Sequence, residues 1–107
     1  RLDPGFAHQT LQFLGIAHLL LGNLKTAEMT FRERIVLSPD TDNARAMLAS
    51  VLGHLGEIEE AKALWQEVVR INPQFSMRQR MDMMVFDGRG DVSSIYEGLK
   101  LAGLPTE

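Results

Sequence analysis

The chain has no cysteine, so it can form no disulfide and offers no thiolate to a metal ion, which fits a reducing, cytoplasmic setting. Its net charge is only -3, too mild to mark a nucleic-acid backbone as a partner. No apolar run reaches the roughly 18–20 residues that a membrane span needs. The best candidate, residues 13–21, is short and is interrupted by Gly15 and His18. No signal-peptide pattern opens the chain. Histidine is scarce too. His8, His18 and His54 are the only three, and none is paired at a metal-ligand spacing. A phosphate-binding glycine loop and a Gly-x-Ser-x-Gly elbow are both missing. The sequence therefore nominates no catalytic residue, no cofactor and no metal ligand, and the expected activity is binding. What the 107 residues do have is a 45% hydrophobic content, enough for one small folded domain.

The informative feature is a repeated step of 34 residues. Gly22, Gly56 and Gly90 fall in one series, and Phe31, Trp65 and Leu99 in another. Pro39 and Pro73 form a third. Gly15, Ala49 and Met83 form a fourth, although Met83 is large where the others are small. Asp3-Pro4 sits one residue out of step with Ser38-Pro39 and Asn72-Pro73. Residues 1–5 are thus expected to be the tail of an earlier helix, and the chain a piece of a longer protein.

Between these markers the apolar spacing is helical. A first helix is expected over 6–21, with Leu11, Leu14, Gly15, Ile16, His18 and Leu19 in its pattern and Gly22 as its stop. A second is expected over 24–37, capped by Asn23, with Ala27, Thr30, Phe31 and Ile35 as its stripe. Glu28 and Arg32 stand in the favourable i, i+4 order on it, and Pro39 closes it. The third runs over 41–55 with Asp40 or Thr41 as cap, and the fourth over 58–71 around Trp65. The fifth is expected over 75–85 and the sixth over 92–102 with Asp91 as cap. These last two are the least regular, as suits the polar end unit of a stacked array.

Two local clusters look like chemistry and are better explained as structure. Glu57, Glu59 and Glu60 start the fourth helix, where the helix dipole favours negative charge. Asp87, Arg89 and Asp91 hint at a calcium loop, but Arg89 stands at a ligand place and no Glu follows at the right distance. Arg89-Gly90-Asp91, the cell-adhesion tripeptide, is read as chance.

A helix hairpin with apolar residues on more than one side cannot bury them alone, and stacking at a constant step buries the remainder. The small residues Gly15, Ala27, Ala49 and Ala61 mark close helix crossings. The joint pattern resembles the tetratricopeptide repeat family. In the first unit it comprises Leu11, Leu14-Gly15, Gly22, Ala27, Phe31 and Pro39. In the second it comprises Leu48-Ala49, Leu52, Gly56, Ala61, Trp65 and Pro73. Arg45, His18 and Arg34 depart from the family's preferences. The resemblance implies an all-α, right-handed α-solenoid of antiparallel hairpins with about six helices. Its units would be a repeat over 8–41, a second over 42–75 and a degenerate capping repeat over 76–107. The closing stretch, with Phe75-Ser76, Tyr96-Glu97-Gly98-Leu99-Lys100 and Ala102-Gly103-Leu104-Pro105, also resembles the end of bacterial signalling proteins. In these, such repeats follow a nucleotide cyclase or winged-helix domain.

The family's role is to bind a protein or peptide on a concave surface lined by the first helix of each pair. Carried over, that surface comprises Gln9, Gln12, Phe13 and Ile16, then Asn43, Ala46, Met47 and Ser50, then Met77, Arg80, Met81 and Met84. Flexible Met side chains suit apolar peptides of varied shape. Met at helical spacing is equally the mark of a core, and that alternative stays open for Met47, Met77, Met81 and Met84. A carboxylate clamp of the chaperone-binding kind is not expected, because Gln12, Ile16, Met47 and Met77 hold its places. The rival reading is a regulatory or dimerisation element that packs on a second copy or on a neighbouring domain.

Overall fold

The structure, a computed structural model, describes residues 4–84 and 92–107. Among them are six α-helices and no strand: α1 (Pro4–Leu20), α2 (Leu24–Leu37), α3 (Asp42–Leu55), α4 (Ile58–Ile71), α5 (Met77–Met84) and α6 (Ser93–Leu101). The expected Asp91 cap, the glycine turn around Gly88 and Gly90, and the side chain of Met84 lie outside what is described.

The first two turns are built alike because the same residue type stands at the same step. Gly22 and Gly56 adopt φ of 83° and 81°, a left-handed backbone that glycine takes without steric cost. Each turn closes with the same pair of bonds. Gly22 N–H donates to Leu19 O and Asn23 N–H to His18 O; Gly56 N–H donates to Gly53 O and Glu57 N–H to Leu52 O. This double closure satisfies carbonyls that a helix end would otherwise strand. The hairpins also end alike, with Ser38 at φ -147°, ψ 86° and Asn72 at φ -142°, ψ 93°.

Capping agrees with expectation in one place and departs in two. Thr41 Oγ1 accepts the Ala44 N–H at 3.2 Å, as an N-cap should. Asn23 makes no capping bond through its side chain; its Nδ2 lies 3.3 Å from His18 Nδ1 instead. Helix α5 starts at Met77 rather than at 75, because Ser76 Oγ accepts the Gln79 N–H at 3.2 Å and caps it there. Phe75, left outside, meets Trp65 edge-on at 5.6 Å between ring centroids.

The core is centred on α3. Every residue from Ala46 to Gly53 is buried, an unbroken run that requires neighbours all around the helix. Helix α4 covers one side through Ala61, Trp65 and Val68. Helix α2 covers a second, and α6 a third through Ile95, Gly98 and Leu99. Helix α1 pairs with α2, where the Phe31 ring fills the space opposite Gly15. A Cβ added at Gly15 would come within 2.6 Å of that ring.

The last pair departs from the expected hairpin. The closest backbone neighbour of α6 is α3, with a lighter contact to α1, and α6 does not run beside α5 as α2 runs beside α1. Small residues make that crossing possible. Gly53 and Gly98 face each other so closely that a Cβ on Gly53 would strike the backbone carbonyl of Gly98, and one on Gly98 would strike Ser50 and the His54 ring. Two polar contacts fix the arrangement: Ser50 Oγ donates to Ile95 O at 2.7 Å, and His54 Nε2 donates to Ser94 O at 2.6 Å. The fourth 34-step series breaks at the same unit, since Met83 is 79% exposed where Gly15 and Ala49 are buried. Among the described residues no helix is long and apolar enough to cross a membrane.

Candidate functional site

The twelve residues expected to line a concave surface do not all reach solvent. Ala46, Met47 and Ser50 are fully buried, because α6 lies along that face of α3. Met77 and Met81 are buried at 0% and 2%, so both serve as core. Ile16 is buried as well. The surface that stays open is the part carried by α1: Gln9 and Phe13 are exposed and Gln12 is half-buried. Asn43 is half-buried at the start of α3.

Arg80 is already engaged. Its two terminal nitrogens donate to Asp42 Oδ1 and Oδ2 at 3.0 and 2.6 Å, a bidentate pair that fixes α5 against the first turn of α3. Asn72 Nδ2 donates to the same carboxylate at 3.0 Å, and the Arg80 guanidinium sits 4.9 Å from the centre of the Phe75 ring. Burial works to raise the Asp42 pKa, but the hydrogen bonds from Arg80 and Asn72 outweigh it and hold the carboxyl below its usual range. Arg80 is thus part of the scaffold.

Two amides retain unused hydrogen-bonding capacity. Gln12 Nε2 and Oε1 and Asn43 Oδ1 are enclosed without a partner. An amide carries both donors and an acceptor, the complement of a peptide backbone. Arg34 Nε and Nη1 are enclosed without a partner as well, and burial lowers the pKa of that guanidinium. Arg34 stands one step before Val68, which is completely buried, so a charged side chain occupies what the second hairpin uses as a core position.

The acidic cluster at the start of α4 is partly spent on packing helices together. Glu60 accepts from Arg32 at 2.8 Å, and the same Arg32 nitrogen reaches Glu28 at 2.9 Å, so one guanidinium ties α2 to α4. Among the described residues no three His, Cys, Asp or Glu side chains gather as a metal site. Asp87, Arg89 and Asp91 fall outside those residues.

The sequence reading missed a stripe on the outer side of α1. Leu14 and Leu21 are 47% and 73% exposed, Ala17 between them is exposed too, and Phe13 borders them at 46%. The signal was there to be read, since α1 contains no Asp, Glu, Lys or Arg among its 17 residues. An uncharged helix with apolar residues on more than one side packs on more than one side. No protein-family model matches the chain, and no curated protein or solved structure matches it.

Proposed function

We propose that this chain is a protein-interaction module of the tetratricopeptide type, a right-handed α-solenoid that holds a protein segment and carries out no chemistry of its own. The observation that carries the reading is the spatial repetition of one hairpin. The turn glycines agree within a few degrees, the closing bonds pair off residue by residue, and Phe31 and Trp65, 34 residues apart, are both buried. Equal hairpins stacked side by side make an extended surface rather than an enclosed pocket.

The binding face is the part of the expected inner surface that α6 leaves open, centred on Gln9, Gln12 and Phe13. Phe13 supplies apolar contact, and the exposed amide of Gln9 supplies hydrogen bonds to a peptide main chain. Selection from a displayed library of random peptides, followed by NMR shift mapping of the best binder on the intact chain, tests this. Shifts are expected at Gln9, Gln12 and Phe13. Phe13→Asp should abolish binding, while Lys62→Glu on the exposed side of α4 should leave it unchanged. Shifts confined to α4, or no selected binder, would contradict the reading.

A further inference from the structure

A recess opens where α2, α3 and α4 meet. Ile35, Val36, Leu48 and Leu64 give it apolar walls, and Arg32 and Arg45 complete its lining. Leu48 is fully buried and Val36 is 77% exposed, so the lining runs from the core to solvent. Its volume is about 270 Å³. That is below the roughly 300–1,000 Å³ of a small-molecule site, so the recess suits a side chain rather than a cofactor. The repeat does not generate it. One step of 34 residues carries Val36 onto Arg70, Arg45 onto Gln79, Leu48 onto Asp82 and Leu64 onto Gly98. In the second hairpin the equivalent of Val36 is thus a cation, ion-paired with Glu67 at 2.9 Å, as suits a solvated position. The first hairpin keeps Val36 bare there, with Leu37 49% exposed beside it.

The two guanidiniums differ in what they still offer. Arg32 is met by the carboxylates of Glu28 and Glu60 at 2.9 and 2.8 Å. Arg45 donates from Nε and Nη2 to the carbonyl of Pro39, at 3.1 and 2.9 Å, and that acceptor is neutral. Glu67, the carboxylate that feels Arg45 electrostatically, is held by Arg70 instead. Among the described residues, therefore, no bonded carboxylate neutralises Arg45. The two bonds to Pro39 fix the guanidinium in one orientation and leave Nη1 for a further acceptor. From this we infer that the recess is a docking site for an acidic peptide segment. A leucine-sized apolar side chain of that segment enters beside Ile35 and Leu64, and a neighbouring Asp or Glu reaches Arg45. The charge selects the occupant. Apolar walls alone would accept any apolar segment, whereas an uncompensated guanidinium at the edge disfavours cations and attracts a carboxylate. The site shares no residue with the Gln9, Gln12 and Phe13 face and does not depend on how the hairpins stack, so each reading can fail alone.

The probe is the capped peptide acetyl-Ala-Glu-Leu-Asp-Ala-amide, titrated into the isotope-labelled intact chain through a concentration of about 1 mM, where so small a contact is read. Saturable NMR shifts are expected at Ile35, Val36, Arg45 and Leu64. The analogue with Gln and Asn in place of Glu and Asp should bind about tenfold more weakly, and so should the analogue with Ser in place of Leu. Arg45→Gln should erase the preference for the carboxylate peptide over its amide analogue, and Arg45→Lys should keep part of it. Val36→Asp should abolish the shifts. Because Val36 faces solvent, that variant should keep the parent melting temperature, which separates lost docking from lost folding. Phe13→Asp should leave the titration unchanged. No saturable shift, equal binding of the carboxylate and amide peptides, or shifts centred on other residues would each overturn the inference. So would self-association of the chain, seen by ultracentrifugation and abolished by Val36→Asp, since the occupant would then be a second copy.

Discussion

The first and second hairpins carry nearly the same local text and end in different surroundings. Their internal joints correspond: Phe31 packs over Gly15 in one, Ala49 and Trp65 at the equivalent positions are both buried in the other, and the turn glycines share the left-handed conformation. Their outer faces do not match, because α3 is enclosed by α2, α4 and α6 while α1 has α2 on one side and solvent on another. The hairpin's own geometry is set by residues within it. The burial of its flanks is set by what is stacked against them.

The comparison can be broken at its internal joints first. Phe31→Ala and Trp65→Ala each remove the aromatic that holds its own hairpin together, and each is expected to cost about 3–5 kcal/mol in chemical denaturation. A small loss at Phe31 beside a large one at Trp65 would mean that the first hairpin is not packed as the second is. Matched truncations of the flanks should then behave unequally. Leu48→Ala should cost about 2–5 kcal/mol, because a fully buried side chain leaves a cavity. Leu14→Ala, at the equivalent but half-exposed position, should cost about 1 kcal/mol or less.

The enclosing helices can be loosened one at a time. Gly53→Val places a branched side chain against the Gly98 backbone and is expected to release α6, at a cost of about 1–3 kcal/mol. Exposure of Met47 and Ser50 to solvent-accessible labels would register that release, and α1–α2 should remain intact. Asp42→Asn removes the charge that holds Arg80 and should cost about 1–3 kcal/mol at neutral pH. Its pH dependence has a defined sign. The Asp42 pKa is lower in the folded state than in the unfolded one, so its stabilisation is complete above the unfolded value, about 3.9. That contribution disappears as pH falls through the lower folded value. A urea titration across pH 5 to 2 should show a steeper acid loss for the parent than for Asp42→Asn.

Most of the helices were legible because the punctuation is strong. Residues 24–37 and 58–71 were delimited by Gly22, Pro39, Gly56 and Pro73, and the structure has helices with those same bounds. The start of α5 was misplaced by two residues because the competing cap, Ser76, stands next to an aromatic that packs on Trp65 instead of continuing the helix. The partner of α6 was not legible. Periodicity describes which face of a helix is apolar but not which neighbour that face meets, and a hairpin with α5 was the default. The decisive residues, Ser50, Gly53, Gly98 and Ala102, are small, and small residues register weakly in a pattern built on large apolar ones. The same blind spot produced the Met47, Ala46 and Ser50 groove: those positions are fully buried, with α6 packed on α3.

Native-state amide hydrogen exchange, comparing α1 with α3 in one sample, tests the account most directly. Amides near the middle of α3, around Ala49 to Leu52, should exchange only through global unfolding, while those around Leu14 to Ala17 in α1 should open at measurably lower free energy. Equal protection in the two helices, or faster exchange in α3 than in α1, would contradict the claim that one hairpin is enclosed and its twin is open.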